Sequence, residues 1–236
     1  MPFRALLFMS ALLLAWPAAG AAAEEALPPA RIRIDQLIGE TQKTSSSTEI
    51  VDVVWWIPSQ FWAAALAKDE DVPEASRREI LELFDKYTVV AAVHGRIGSF
   101  GVSGFTSEAE VRKSLRLVDA EGTEHAPLAE DRLDPRLKVV TQILRPMLAN
   151  AIGQMGSNLN FYAFPARRKD GRPVADPLGQ GRLTVHMMGN EYAFRLPLGS
   201  LLPPRHDPQT GEVFPGSYRF NPYTGTALEA EPATPR

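Results

Sequence analysis

Around Gly189-Asn190 the chain alternates strictly: residues 183–196 read Leu-Thr-Val-His-Met-Met-Gly-Asn-Glu-Tyr-Ala-Phe-Arg-Leu. An apolar residue at every second position is the period of a half-buried strand, and Gly-Asn supplies a two-residue hairpin turn. With that turn, Met187 lies beside Tyr192, Val185 beside Phe194 and Leu183 beside Leu196, while His186 and Arg195 occupy the opposite face. A one-residue slip would turn every apolar side chain outward, so the pattern commits the chain to an antiparallel sheet with one buried face.

Other segments extend this architecture. Ile50-Val51-Asp52-Val53-Val54-Trp55-Trp56-Ile57 has the β-branched and aromatic density of a strand. Pro58 stops it and introduces a short helix over 59–68, and Pro73 starts a second one in which Ile80, Leu83, Phe84 and Tyr87 share a face. Thr88 to His94 reads as a buried strand, Ser107 and Glu110 form a capping box, and Asp119-Ala120-Glu121-Gly122 marks a hairpin turn. Asp134-Pro135 opens the longest helix, which Pro146 is expected to bend or split by removing the hydrogen bond to the Gln142 carbonyl. Leu159 to Phe164 resumes strand character. The fold class is therefore α+β, an antiparallel sheet with helices packed on one face, followed by a C-terminal hairpin tail.

The first residues carry an export pattern: Arg4, the apolar run Ala5 to Trp16, and Ala21-Ala22-Ala23 as a cleavage site. Residues 1–23 are read as a signal peptide, 24–49 as a flexible arm, 50–202 as the α+β domain and 203–236 as the tail. Cleavage after Ala23 leaves 24 basic residues against 28 acidic ones, a balance with no basic field for a phosphate backbone, so no nucleic-acid partner is expected. No later stretch has the apolar length of a transmembrane segment. Cysteine is absent, which excludes disulfides, thiolate metal sites and cysteine nucleophiles.

Trp55, Trp56, Phe61 and Trp62 fall within eight residues and form the candidate ligand- or partner-binding cluster, since indole rings give large contact area at low entropic cost. Trp55 and Trp56 must point to opposite faces of their strand, so the cluster is also a candidate for plain core packing. Gly95, Gly98, Gly101 and Gly104 precede a capped helix, but neither the lysine of a phosphate loop nor the dinucleotide spacing is present, and a bulged strand is expected there instead. The four histidines, His94, His125, His186 and His206, have no metal-ligand spacing, and Ser99 and Ser103 lie outside any nucleophile elbow. No metal, cofactor or catalytic residue is assigned.

In the tail, Asp207-Pro208-Gln209-Thr210-Gly211 is matched by Asn221-Pro222-Tyr223-Thr224-Gly225. The pair resembles the two knuckles of a zinc ribbon, each of the form C-P-x-C-G, with Leu228 just beyond the second. The resemblance puts Asp207, Thr210, Asn221 and Thr224 at the ligand positions, and the loss of all four thiolates implies a metal-free hairpin held by Asx turns. The whole reads as an exported, non-enzymatic envelope protein of the bacterial periplasm that binds an unidentified envelope protein or small ligand. The alternative is a periplasmic hydrolase whose catalytic site assembles only in the fold.

Overall fold

The computed structural model describes residues 25–230, so the signal peptide expected over 1–23 lies outside the described residues. Helix α1 (Ile34–Thr41) and strand β1 (Gln42–Ser46) lead into β2 (Ile50–Ile57). Helices α2 (Ser59–Ala67) and α3 (Glu74–Phe84) follow, then the long β3 (Tyr87–Gly98), β4 (Gly101–Phe105) and α4 (Glu108–Ser114). After β5 (Arg116–Val118) and β6 (Glu124–His125) comes α5 (Pro135–Ser157), a single helix that runs through Pro146 rather than splitting there. Strands β7 (Asn160–Pro165), β8 (Gly181–Met187) and β9 (Asn190–Leu196) complete the main body. The tail holds β10 (Arg205–His206), β11 (Val213–Phe214) and β12 (Glu229–Ala230).

Among the described residues all strand pairs are antiparallel and form three sheets, and the fold is α+β. The first sheet runs β1-β2-β3, with β4 and β7 sharing the far edge of β3; the second runs β6-β5-β8-β9; the third is β11-β10-β12. Period-two alternation in β2 and β3 divides the core in two. Val53, Trp55, Ile57, Val89, Ala91 and Val93 face Trp62, Leu83, Phe84 and Leu137 of the helices. Val54, Trp56, Val90 and Ala92 face Leu183, Val185, Met187, Tyr192 and Phe194 of the second sheet. Helices thus cover one face of the first sheet, and the second sheet covers the other.

The flexible arm expected over 24–49 is corrected. β1 pairs with β2 along its whole length, Ile32 and Leu37 are buried, and the buried Thr41 hydroxyl accepts a hydrogen bond from Trp55 Nε1 at 3.2 Å. Gln42-Lys43-Thr44-Ser45-Ser46 is polar because it is an edge strand, which removes the apolar signal that marks an inner one. The glycine series forms the β3–β4 hairpin, with a register shift between Arg96 and Ile97 and a left-handed Gly101 (φ 107°) at the turn. Ser107 and Glu110 make the expected capping box.

The β8–β9 register is also corrected. The turn is Met188-Gly189, both with positive φ (50° and 83°), and the pairs are Met187 with Asn190, Val185 with Tyr192 and Leu183 with Phe194. The pairing is shifted by two residues, which preserves the buried face, so the alternation could not distinguish the two registers. The observed register is the one that brings Asn190 and Tyr192 to the polar centre described below. Phe194 is fully buried and edge-on to Trp56 at 5.9 Å. Phe194→Ala should therefore cost about 3–5 kcal/mol in chemical denaturation through lost burial and a cavity; a loss below about 1 kcal/mol would contradict the packing of the two sheets.

Candidate functional site

Asp52 is the single charged residue in β2, and it is completely buried. Alternation places it on the face shared with the second sheet, beside Val54 and Trp56. Its cross-strand neighbour on β3 is His94 and on β1 is Ser45. His94 Nδ1 lies 2.5 Å from Asp52 Oδ1. Oδ2 accepts hydrogen bonds from the Tyr192 hydroxyl and, at 3.2 Å, from Asn190 Nδ2, both on β9. An ionised carboxylate can only accept, which makes His94 Nδ1 the donor of this contact. Burial, and then the hydrogen bond to Asp52, push the Tyr192 hydroxyl well above its usual ionisation range, which keeps it a donor.

This centre has the orienting half of an acid–base constellation, a carboxylate aligning an imidazole. Among the described residues no serine or threonine hydroxyl is hydrogen-bonded to His94, and its ring is 8% exposed. The other histidines are dispersed. His125 Nε2 bonds Asp119 Oδ2 at 3.0 Å, beside Arg168, where Asp119 also accepts the backbone N–H groups of Glu121 and Thr123 and so ties the β5–β6 turn. His186 is exposed on the outer face of β8, and His206 lies 3.7 Å from Glu229 across the tail sheet. Among the described residues no group of three His, Asp or Glu side chains could hold a metal ion, and no helix is long and apolar enough to cross a membrane.

The binding platform expected at Trp55, Trp56, Phe61 and Trp62 is corrected to core. Trp56 is 1% exposed and packs against the second sheet, while Trp55 and Trp62 point into the helix-covered core. The half-buried Phe61 stands edge-on to Trp55 (5.1 Å) and Trp62 (5.2 Å), and Trp62 stacks on Phe84 at 4.0 Å. The three indoles are thus buried side chains of the core rather than an exposed platform.

The tail repeats one geometry twice. The Asp207 N–H donates to Glu212 O and the Gly211 N–H to Asp207 O; Asn221 with Thr226 and Gly225 with Asn221 do the same. Asp207 Oδ1 accepts from the Gln209 and Thr210 N–H groups, and Asn221 Oδ1 from those of Tyr223 and Thr224. Thr210 and Thr224 hydroxyls accept from the N–H groups of Glu212 and Thr226. Gly211 (φ 72°) and Gly225 (φ 75°) take the left-handed conformation that closes each turn. The two knuckles then meet: Asn221 Nδ2 donates to Asp207 Oδ2 at 2.7 Å, with both residues buried. Asp207, Thr210, Asn221 and Thr224 are thus brought together by hydrogen bonds. On the outside of this unit, Tyr218, Phe220 and Tyr223 are exposed.

No protein-family model matches this chain, and no curated protein or solved structure matches it. The site is therefore read from its own geometry. Sequence reasoning missed Asp52, Tyr192 and Asn190; a lone acid in an apolar strand was the available signal, but its partners lie 42 and 140 residues away.

The tail has a definite pH signature. The hydrogen bond from Asn221, then that from the Gln209 N–H, hold the Asp207 carboxyl below its ordinary value of 3.8 against the opposing effect of burial. A lowered folded value means a stabilisation that is complete above the ordinary range and is lost as pH falls through the folded value. Amide chemical shifts of Thr210 and Tyr223 should stay native through pH 4 and change only in stronger acid, and Asp207→Asn, which sets an amide NH2 against that of Asn221, should remove that transition and weaken the contact between the knuckles. A tail transition at or above the ordinary carboxyl range would contradict the Asp207–Asn221 contact.

Proposed function

We propose that this is an exported, non-enzymatic protein of the cell envelope, located in the bacterial periplasm, which binds an envelope protein or ligand through the outer surface of its C-terminal unit. The observation that carries the reading is the crowding of Tyr218, Phe220 and Tyr223, three of the eight large hydrophobic side chains exposed among the described residues, into six positions. Hydrogen bonds hold the adjoining Asn221 knuckle in shape, so these rings are presented on a fixed frame rather than on a loose tail. Exposed aromatic side chains on a rigid support are the usual anchors of protein contacts. Support for export comes from Arg4, the apolar run after it and Ala21-Ala22-Ala23. The reading of residues 206–228 as a zinc ribbon that has lost its metal is supported by the paired knuckles and by an Asp207–Asn221 hydrogen bond between two of the former ligand positions.

The Asp52–His94 pair is the feature that favours the hydrolase alternative. Against it stand the burial of the imidazole and the absence of a hydroxyl bonded to it among the described residues. The decisive experiment expresses the full-length chain with its leader in a Gram-negative host. The recovered protein should begin at or near Glu24 and should retain a defined envelope partner that the folded Phe220→Ser/Tyr223→Ser variant loses at least ~10-fold, as expected for interface hot spots. A cytosolic species with the full 25.9 kDa mass, or capture indifferent to the double substitution, would contradict the proposal. Hydrolytic activity abolished by His94→Ala would establish the alternative.

A further inference from the structure

A cleft of about 470 Å³ lies between the N-terminal segment and the base of the C-terminal unit. Its size is that of sites for small organic ligands. One wall comes from Leu27, Arg31 and α1, and the other from Leu202, Val213 and Phe214. Both walls are fastened. The Leu27 N–H donates to Leu201 O at 2.8 Å. The Glu40 carboxylate accepts the N–H groups of Gly199 and Ser200, each at 2.9 Å, and the Ser200 hydroxyl at 2.5 Å. The cleft is therefore part of the folded framework.

Its chemistry is asymmetric. Arg31 and Arg33 stand among the lining residues, both exposed; the Arg31 side chain has no hydrogen-bond or ion-pair partner among the described residues, and that of Arg33 pairs with the equally exposed Asp35. The one lining carboxylate, Glu40, is turned to the Gly199 and Ser200 donors, and the lining carries two guanidinium groups against that single carboxylate. An anion is therefore the complementary charge. The apolar wall also selects its occupant. The N–H groups of Leu27, Leu202 and Gly216 all bond to carbonyls of the wall itself, and those of Gly199 and Ser200 to Glu40, so a peptide backbone laid here would find these donors taken and lose its own hydration. An alkyl chain needs no such partners. Val213, 68% exposed at this wall, would be covered by it.

We propose that this cleft binds a free single-chain amphiphile with an anionic head, a medium-chain carboxylate, with the head on the guanidinium of Arg31, assisted by Arg33, and the chain against Leu27, Leu202, Val213 and Phe214. The cleft adjoins the Tyr218–Tyr223 surface through the stack of Phe214 on Tyr218, but its test does not depend on Phe220 or Tyr223.

The test is calorimetric titration of the full chain with dodecanoate below its micellar concentration. One-to-one binding with a Kd on the order of 10 µM is expected, with no measurable binding of acetate or of dodecyltrimethylammonium. Arg31→Glu and Val213→Asp, both at exposed positions and checked for native circular dichroism, should each weaken dodecanoate binding ~10-fold or more. Phe220→Ser/Tyr223→Ser should bind it normally. The inference is overturned if dodecanoate does not bind, if the cationic surfactant binds as well, if Arg31→Glu binds like the parent, or if only vesicles of phosphatidylglycerol are bound, which would make the face a membrane contact.

Discussion

A single buried carboxylate joins the two large sheets. Asp52 sits in the middle of an apolar strand, where an unpaired charge would cost several kcal/mol, and the structure answers with three donors from two different sheets. His94 comes from the neighbouring strand of its own sheet, while Tyr192 and Asn190 reach across from β9. Apolar packing alone would allow the sheets to slide over one another, because Val, Leu and Met surfaces accept many offsets. Hydrogen bonds to a fixed carboxylate accept one. The centre thus supplies uniqueness where Trp56, Phe194 and their neighbours supply the driving force.

That division of labour explains what can be read from the sequence. The faces of β2 are legible, since Val53 and Trp55 alternate with Val54 and Trp56, and so are the Ser107–Glu110 capping box and the apolar face of β8 and β9. The register of β8 on β9 is not. A turn at Met188-Gly189 and one at Gly189-Asn190 differ by two residues in pairing and bury the same side chains, so alternation cannot decide between them; the observed register is the one in which Asn190 and Tyr192 reach Asp52 and the Met188 N–H reaches the Ser114 hydroxyl. β1 is hidden for a related reason: an edge strand of Gln, Lys, Thr and Ser is indistinguishable from a loop until β2 is there to pair with it. The tryptophans are ambiguous in sequence because a core and a platform draw on the same residues, and burial alone separates them.

The tail solves a small version of the same problem. A unit with three strands of two residues each has too little apolar surface to hold itself, and Phe214 and Leu228 are its buried apolar anchors among the described residues. Asp207 and Asn221 complete it by organising their own turns and then bonding to each other. In sequence, the repeated Asx-Pro-x-Thr-Gly predicts the turns and the left-handed glycines; it does not predict that acid and amide meet, because that contact spans 14 residues and depends on how the knuckles face. The difference between the two copies, an acid in one and an amide in the other, is what gives the pair one acceptor and one donor.

Asp52 couples the two sheets through Tyr192, and a double-mutant cycle with Asp52→Asn and Tyr192→Phe measures that coupling directly. For members of one buried hydrogen-bond network the coupling should be at least ~1 kcal/mol, with each single variant destabilised and the double variant less so than their sum. A coupling within about 0.3 kcal/mol of zero, the range found for independent sites, would mean that the carboxylate does not hold the second sheet and that the register is set elsewhere.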